Sequence, residues 1–191
     1  MNAKPLRGLT LIELMIAVAL VAILLAVAAP DFREGMQRRR LQSASAELVG
    51  AVQLARAEAV RTNRRAVLCR SSDGSSCSND DAIWPGWIVF VDTNGDGVRA
   101  NTEPVIKGGS FENITVIGSA AITAAGQRIV FRGDGTARGS DGRSLMVATL
   151  AVCAAVARPT QNVRDVSLAF GTRTTVRARA TGGVCAAPAD S

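Results

Sequence analysis

Apolar residues run almost unbroken from Leu9 to Ala29, LTLIELMIAVALVAILLAVAA, with Glu13 as the one charge. A bilayer core is spanned by a helix of about 20 such residues, so 9–30 is expected to cross a membrane. Past Pro30 the pattern changes to a spaced one. Leu41, Leu48, Val52, Ala55 and Ala59 recur at intervals that place them on one helical face. An amphipathic helix is therefore predicted over 31–64, with Gly35 and Gly50 as tolerable isolated glycines. Pro30 has no N–H to donate and is expected to kink or loosen the helix. Together the two segments would approach ~80 Å at 1.5 Å per residue. From Arg65 onward short β-type runs alternate with Gly, Asn, Asp and Ser clusters. The runs are Ala66–Arg70, Trp87–Asp92, Pro104–Lys107, Ile114–Gly118, Arg128–Arg132, Leu145–Val152, Val166–Gly171 and Thr174–Ala180. A long helix followed only by short strands predicts an α+β fold, with the second half of the helix laid across antiparallel sheet.

Lys4 and Arg7 precede the apolar run and favour a cytoplasmic start, which sends the β-rich domain, 65–191, outward. Arg33, Arg38, Arg39 and Arg40 sit on the far side, where that rule does not place them, and Asp31 and Glu34 offset only part of the charge. A cleaved secretory signal is the rival reading of the same residues, with a cut after Ala26-Val27-Ala28. Under that reading Glu13 intrudes on the apolar core of the signal, and Pro30 falls awkwardly two residues past the cut.

At 191 residues the chain holds one ordinary domain plus an appendage. It contains no His and no Tyr. The missing His removes the usual general base, the commonest metal ligand and any Ser–His or Cys–His pair, so an enzyme is disfavoured. The formal net charge is +6, and Lys4 and Lys107 are the only lysines among 22 basic residues. Arginine's planar fork suits phosphate and carboxylate groups. Four cysteines, Cys69, Cys77, Cys153 and Cys185, allow three pairings in an oxidising compartment. The pairing Cys69–Cys77 with Cys153–Cys185 is preferred, because the first two flank a short polar turn. With no CxxC and no His, zinc is not expected.

The segment Gly8-Leu9-Thr10-Leu11-Ile12-Glu13-Leu14 resembles the type IV prepilin signature. The resemblance implies a leader over 1–8, cut by a prepilin peptidase between Gly8 and Leu9, with methylation of the new N-terminus. Leu9 stands where the family usually has Phe. The chain would then be a single-pass protein of the bacterial inner membrane with a periplasmic C-terminal domain, later assembled with other pilin subunits by the pilus machinery. A lone carboxylate in a membrane helix costs about 2.5–3.5 kcal/mol on insertion scales. Glu13 therefore needs a partner, and the free α-amino group of Leu9 on an adjacent subunit would supply one. Snorkelling to the interface is the plainer alternative.

A second resemblance lies in Trp84-Pro-Gly-Trp-Ile-Val-Phe-Val-Asp-Thr-Asn-Gly-Asp-Gly97, which is similar to the Gly-Trp-x-x-Phe-x-Asp-x-Asn-x-Asp-Gly hallmark of the FimT/GspH group of minor pilins and pseudopilins. The same stretch fits an EF-hand loop, with Asp92, Asn94, Asp96 and Glu103 as oxygen donors. A β-run precedes it and Pro104 follows it, so flanking helices are absent. A turn between strands, built by Asp and Asn for local reasons, competes with a calcium site. No other cofactor is indicated.

Beyond Ala125 the chain carries Arg128, Arg132, Arg138, Arg143, Arg158, Arg164, Arg173, Arg177 and Arg179 against Asp134, Asp141, Asp165 and Asp190. In Arg173-Thr-Thr-Val-Arg-Ala-Arg179, a period of two puts three Arg on one face of a strand. Such a row grips the backbone of double-stranded DNA without reading sequence. No aromatic residue interleaves it, so base stacking is not suggested, and a solvated face toward other subunits is the plainer reading. Some FimT-like pilins are DNA receptors for natural transformation and carry a Gly-Arg-x-Arg element; Val176-Arg177-Ala178-Arg179 keeps both Arg but lacks the Gly. Arg158 and Arg164 join the candidate DNA contacts. The resemblance also admits a GspH-like pseudopilin of a type II secretion system, and the cleaved-signal reading leaves a secreted calcium-binding module.

Overall fold

The computed structural model describes residues 10–191, and the side chains of all of these except 25–31. Helix α1 spans Leu11–Thr62. Its start is capped locally: the Glu13 N–H donates to Thr10 Oγ1 at 3.3 Å, and the Leu14 N–H to the Thr10 carbonyl at 3.2 Å. Ser or Thr followed three residues later by Glu is a capping pattern. Its other end comes at Asn63, which takes the left-handed conformation that short polar side chains tolerate. Pro30 does not end α1; the side chains around the expected kink lie outside the described ones. The chain divides into two compact units, 1–36 and 37–191.

In the second unit the predicted stripe is buried. Leu41, Leu48, Ala55 and Ala59 have no exposed surface and Val52 almost none. They pack in one core with Leu68, Trp87, Val89, Ile129 and Phe131 from one sheet, and with Val116, Leu150, Val152, Val166 and Leu168 from another.

The sequence reading expected antiparallel sheet; the chain builds two. The first holds β1 (Arg65–Arg70), β2 (Gly86–Asp92), β3 (Val105–Ser110), β5 (Arg128–Phe131) and β6 (Ala137–Arg138), in the order β3-β2-β1-β5-β6. The second holds β4 (Thr115–Gly118), β7 (Ala148–Cys153), β8 (Val163–Ala169) and β9 (Arg173–Arg179), in the order β4-β7-β8-β9. A short helix, α2 (Ala120–Ala124), follows β4. Compared with the expected runs, β7 begins three residues later, at Ala148, and β8 three residues earlier, at Val163. The run at Leu145 is only an isolated bridge to Arg138.

The central strands β1, β2 and β7 are buried on both faces. Val67, Cys69, Ile88 and Phe90 form a second apolar cluster on the face of the first sheet that points away from α1. Ala151, Cys153 and Val163 do the same on the second sheet, with Cys185 against them. Disulfides Cys69–Cys77 and Cys153–Cys185 tie the covering segments onto these two clusters. The sheets are joined at the β8–β9 turn, where the Ala137 N–H donates to the Gly171 carbonyl and the Gly171 N–H to Met146. Gly171 has φ +66°, and a Cβ there would lie 2.3 Å from the Ala137 carbonyl oxygen, so only glycine fits.

Candidate functional site

The side chains of the hallmark stretch around β2 bond within the fold. A Cβ on Gly86 would meet the Gly109 carbonyl at 2.6 Å, so glycine lets β2 and β3 pair closely. Trp87 is buried and donates its indole N–H to Glu47 Oε1 of α1 at 2.8 Å, which joins sheet to helix. Trp84, equally buried, donates to Gln127 Oε1. Asp92 accepts the Gly95 and Gly97 N–H groups, Asn94 accepts Asp96 N–H, and Asp96 accepts Val98 N–H. Glu103, with no exposed surface, accepts from the N–H and hydroxyl of Thr93 and from the Ala100 N–H. Burial raises its pKa, but the Ala100 and Thr93 donors outweigh burial and hold it below the ordinary carboxylate value. The four oxygen donors of the EF-hand pattern thus hold the turn from within. Among the described residues no group of three or more acidic or Cys side chains is placed to hold a metal.

β9 is the edge strand of the second sheet. In its register with β8, Arg173 pairs with Ala169, Arg177 with Asp165 and Arg179 with Val163. All three Arg therefore share the face on which Ala151 and Cys153 lie, the one away from α1. The C-terminal segment runs over that face beside them: Cys185 is bridged to Cys153, and Ser191 Oγ meets Thr149 and Ser167 hydroxyls. Arg179 is not a free cation. Its Nε and Nη2 clamp Asp165 at 2.6 and 3.0 Å, and that carboxylate holds the guanidinium pKa above its ordinary value. Arg173 and Arg177 are exposed, four residues apart, which is ~13 Å along a strand.

Arg164 alternates with these residues and falls on the opposite face, in register with Val152, where it donates to the Gln161 and Val163 carbonyls. Arg158 is exposed in the β7–β8 connection, which packs against Gly183 of the C-terminal segment. The structure thus joins Arg173, Arg177 and Arg179, puts Arg158 on a separate loop and turns Arg164 away.

Glu13 is exposed on α1. Gly8 and Leu9 lie outside the described residues. Among the described residues no helix is long and apolar enough to cross a membrane; the predicted span, 9–30, extends beyond those whose side chains are described.

Residues 44–179, from the second half of α1 through β9, match the family described as Type II transport protein GspH. The chain belongs to the GspH family. Residues 5–29 match the prokaryotic N-terminal methylation motif. This GspH-family chain is accordingly a minor pilin or pseudopilin of the GspH/FimT type, a structural subunit anchored through its N-terminal segment that associates with other pilins and their assembly machinery. Its fold is similar to that of the type IV minor pilin FimU of Pseudomonas aeruginosa in two crystal forms. One superimposes with a TM-score of 0.52 at 22% identity, covering 73% of this chain and 97% of FimU. The other gives 0.54 at 22% identity, covering 74% and 94%. A comparison with curated proteins finds no match.

Proposed function

We propose that this GspH-family subunit is cut by a prepilin peptidase between Gly8 and Leu9, is held in the bacterial inner membrane by 9–30 with its β-rich domain in the periplasm, and enters a type IV pilus. There β9 grips double-stranded DNA through its phosphates and contributes to uptake in natural transformation. The observation that carries the DNA reading is the exposed edge strand with Arg173 and Arg177 on one face. Two guanidiniums ~13 Å apart reach separate phosphates, and no aromatic side chain on β9 offers a stacking platform. Arg179 serves this strip by anchoring Asp165, which otherwise faces Arg177 directly across the ladder.

Titration of the full chain in nonionic detergent with duplex DNA tests the reading. Binding is expected to be independent of sequence and to fall steeply with salt. Arg173→Ala with Arg177→Ala lowers the salt slope by about 2. Arg179→Ala weakens binding less, since its charge is already matched. Unchanged affinity in the triple variant sinks the strip as a DNA contact. The family description itself favours a second reading, a GspH-like pseudopilin of a type II secretion system whose partner is a secreted protein. A deletion strain scored separately for transformation and for protein secretion separates the two.

A further inference from the structure

The outer face of the first sheet carries a second concentration of arginine, independent of β9. Val67 of β1 lies opposite Val130 of β5, and Val130 lies opposite Arg138 of β6. Alternation therefore puts Arg65, Arg128, Arg132 and Arg138 on one face. All four line a single open cavity of about 240 Å³, bordered by the end of α2, by the 96–97 turn and by the loop 139–142.

Each guanidinium is fixed by carbonyl oxygens from the surrounding loops. Arg65 donates to Gly95, Arg128 to Gly97 and Gly126, Arg132 to Gly142, and Arg138 to the Arg143 carbonyl. Carbonyls orient a guanidinium without cancelling its charge. Of these four arginines only Arg138 has a carboxylate within ion-pair distance among the described residues, Asp134 at 3.3 Å, and Asp96 is the one acid among the described residues lining the cavity. Arg138 Nε is buried with no acceptor. A buried donor with nothing to donate to costs about 1–3 kcal/mol, and fixed like charges around one space raise its affinity for an anion. A carboxylate offers a single charge and two coplanar oxygens. Guanidiniums arriving from three strands around one cavity suit diverging oxygens and more than one negative charge.

We propose that this arginine-lined cavity on the outer face of the first sheet binds a phosphate group. The full chain in nonionic detergent is heated with inorganic phosphate or with chloride at equal ionic strength. Saturating phosphate is expected to raise Tm by about 3 °C. Arg132 also anchors Gly142, so Arg65→Gln with Arg132→Gln starts from a lower Tm; the readout is the phosphate-induced shift, which that variant loses. Asp96→Asn removes the one acid from the described cavity wall while keeping all four arginines in the sequence, and tightens phosphate binding roughly threefold. Duplex DNA that competes with phosphate in the wild type, while the Arg65/Arg132 variant loses DNA affinity, supports the site and assigns the phosphate to a nucleic-acid backbone. Stabilisation by phosphate that DNA leaves untouched supports it as a site for a free phosphate or monoester. No phosphate-specific shift, or the same shift in the Arg65/Arg132 variant, overturns the proposal.

Discussion

Glu103→Ala removes the acceptor at the centre of the 92–103 turn. Three donors then lose their partner: the Thr93 N–H at 2.6 Å, the Thr93 hydroxyl at 2.8 Å and the Ala100 N–H at 2.9 Å. A buried donor left unpaired costs about 1–3 kcal/mol, and bonds to a charged acceptor lie toward the upper end. The three are adjacent and relax together, so the expected loss is roughly 3–4 kcal/mol rather than the full sum. For a domain of this size that lowers Tm by about 8–12 °C, read by thermal scanning of the full chain in detergent. The pH dependence has a definite sign. The folded pKa of Glu103 lies below its unfolded value of about 4.3, so its stabilisation is complete above that pH and is lost as pH falls through the folded value. The gap between wild type and variant therefore narrows only in acid. Glu103 is also the last donor of the EF-hand pattern, which makes calcium the control. A structural clamp gives the same wild-type Tm in millimolar calcium and in chelator. A calcium-dependent rise that Glu103→Ala abolishes, or a loss below about 0.5 kcal/mol, refutes the reasoning.

Leu48→Ala empties a fully buried position between α1 and the sheets, and costs about 2–5 kcal/mol in chemical unfolding with little change in slope. Cys153→Ser with Cys185→Ser opens a bridge between residues 32 apart, with an expected loss of about 3–4 kcal/mol and protease sensitivity confined first to residues after Arg179.

The α1 stripe was legible because Leu41 to Ala59 obey a helical period that burial alone enforces. Most strands were legible for the same kind of reason. Two sheets rather than one were not, because strand pairing is non-local and alternation fails when both faces are buried. In β2 every residue is buried, so no period marks its faces. The two-residue β6 and the five-residue α2 are too short to leave a pattern. At β9 a period of two correctly grouped Arg173, Arg177 and Arg179. The same rule applied to Val166 and Leu168 puts Arg164 on the core side, a signal available in the sequence and overlooked. The capture of Arg179 by Asp165 depends on register across β8 and was out of reach. So was the cavity of Arg65, Arg128, Arg132 and Arg138, whose members meet only when β1, β5 and β6 are paired.

Assembly into a filament requires a leading helix that stays attached after processing. Intact-mass measurement of this chain recovered from sheared filaments tests that directly. The prediction is a mature chain starting at a methylated Leu9 and retaining both disulfides. A chain starting near Ala29, or its absence from filaments that contain the other subunits, contradicts the account.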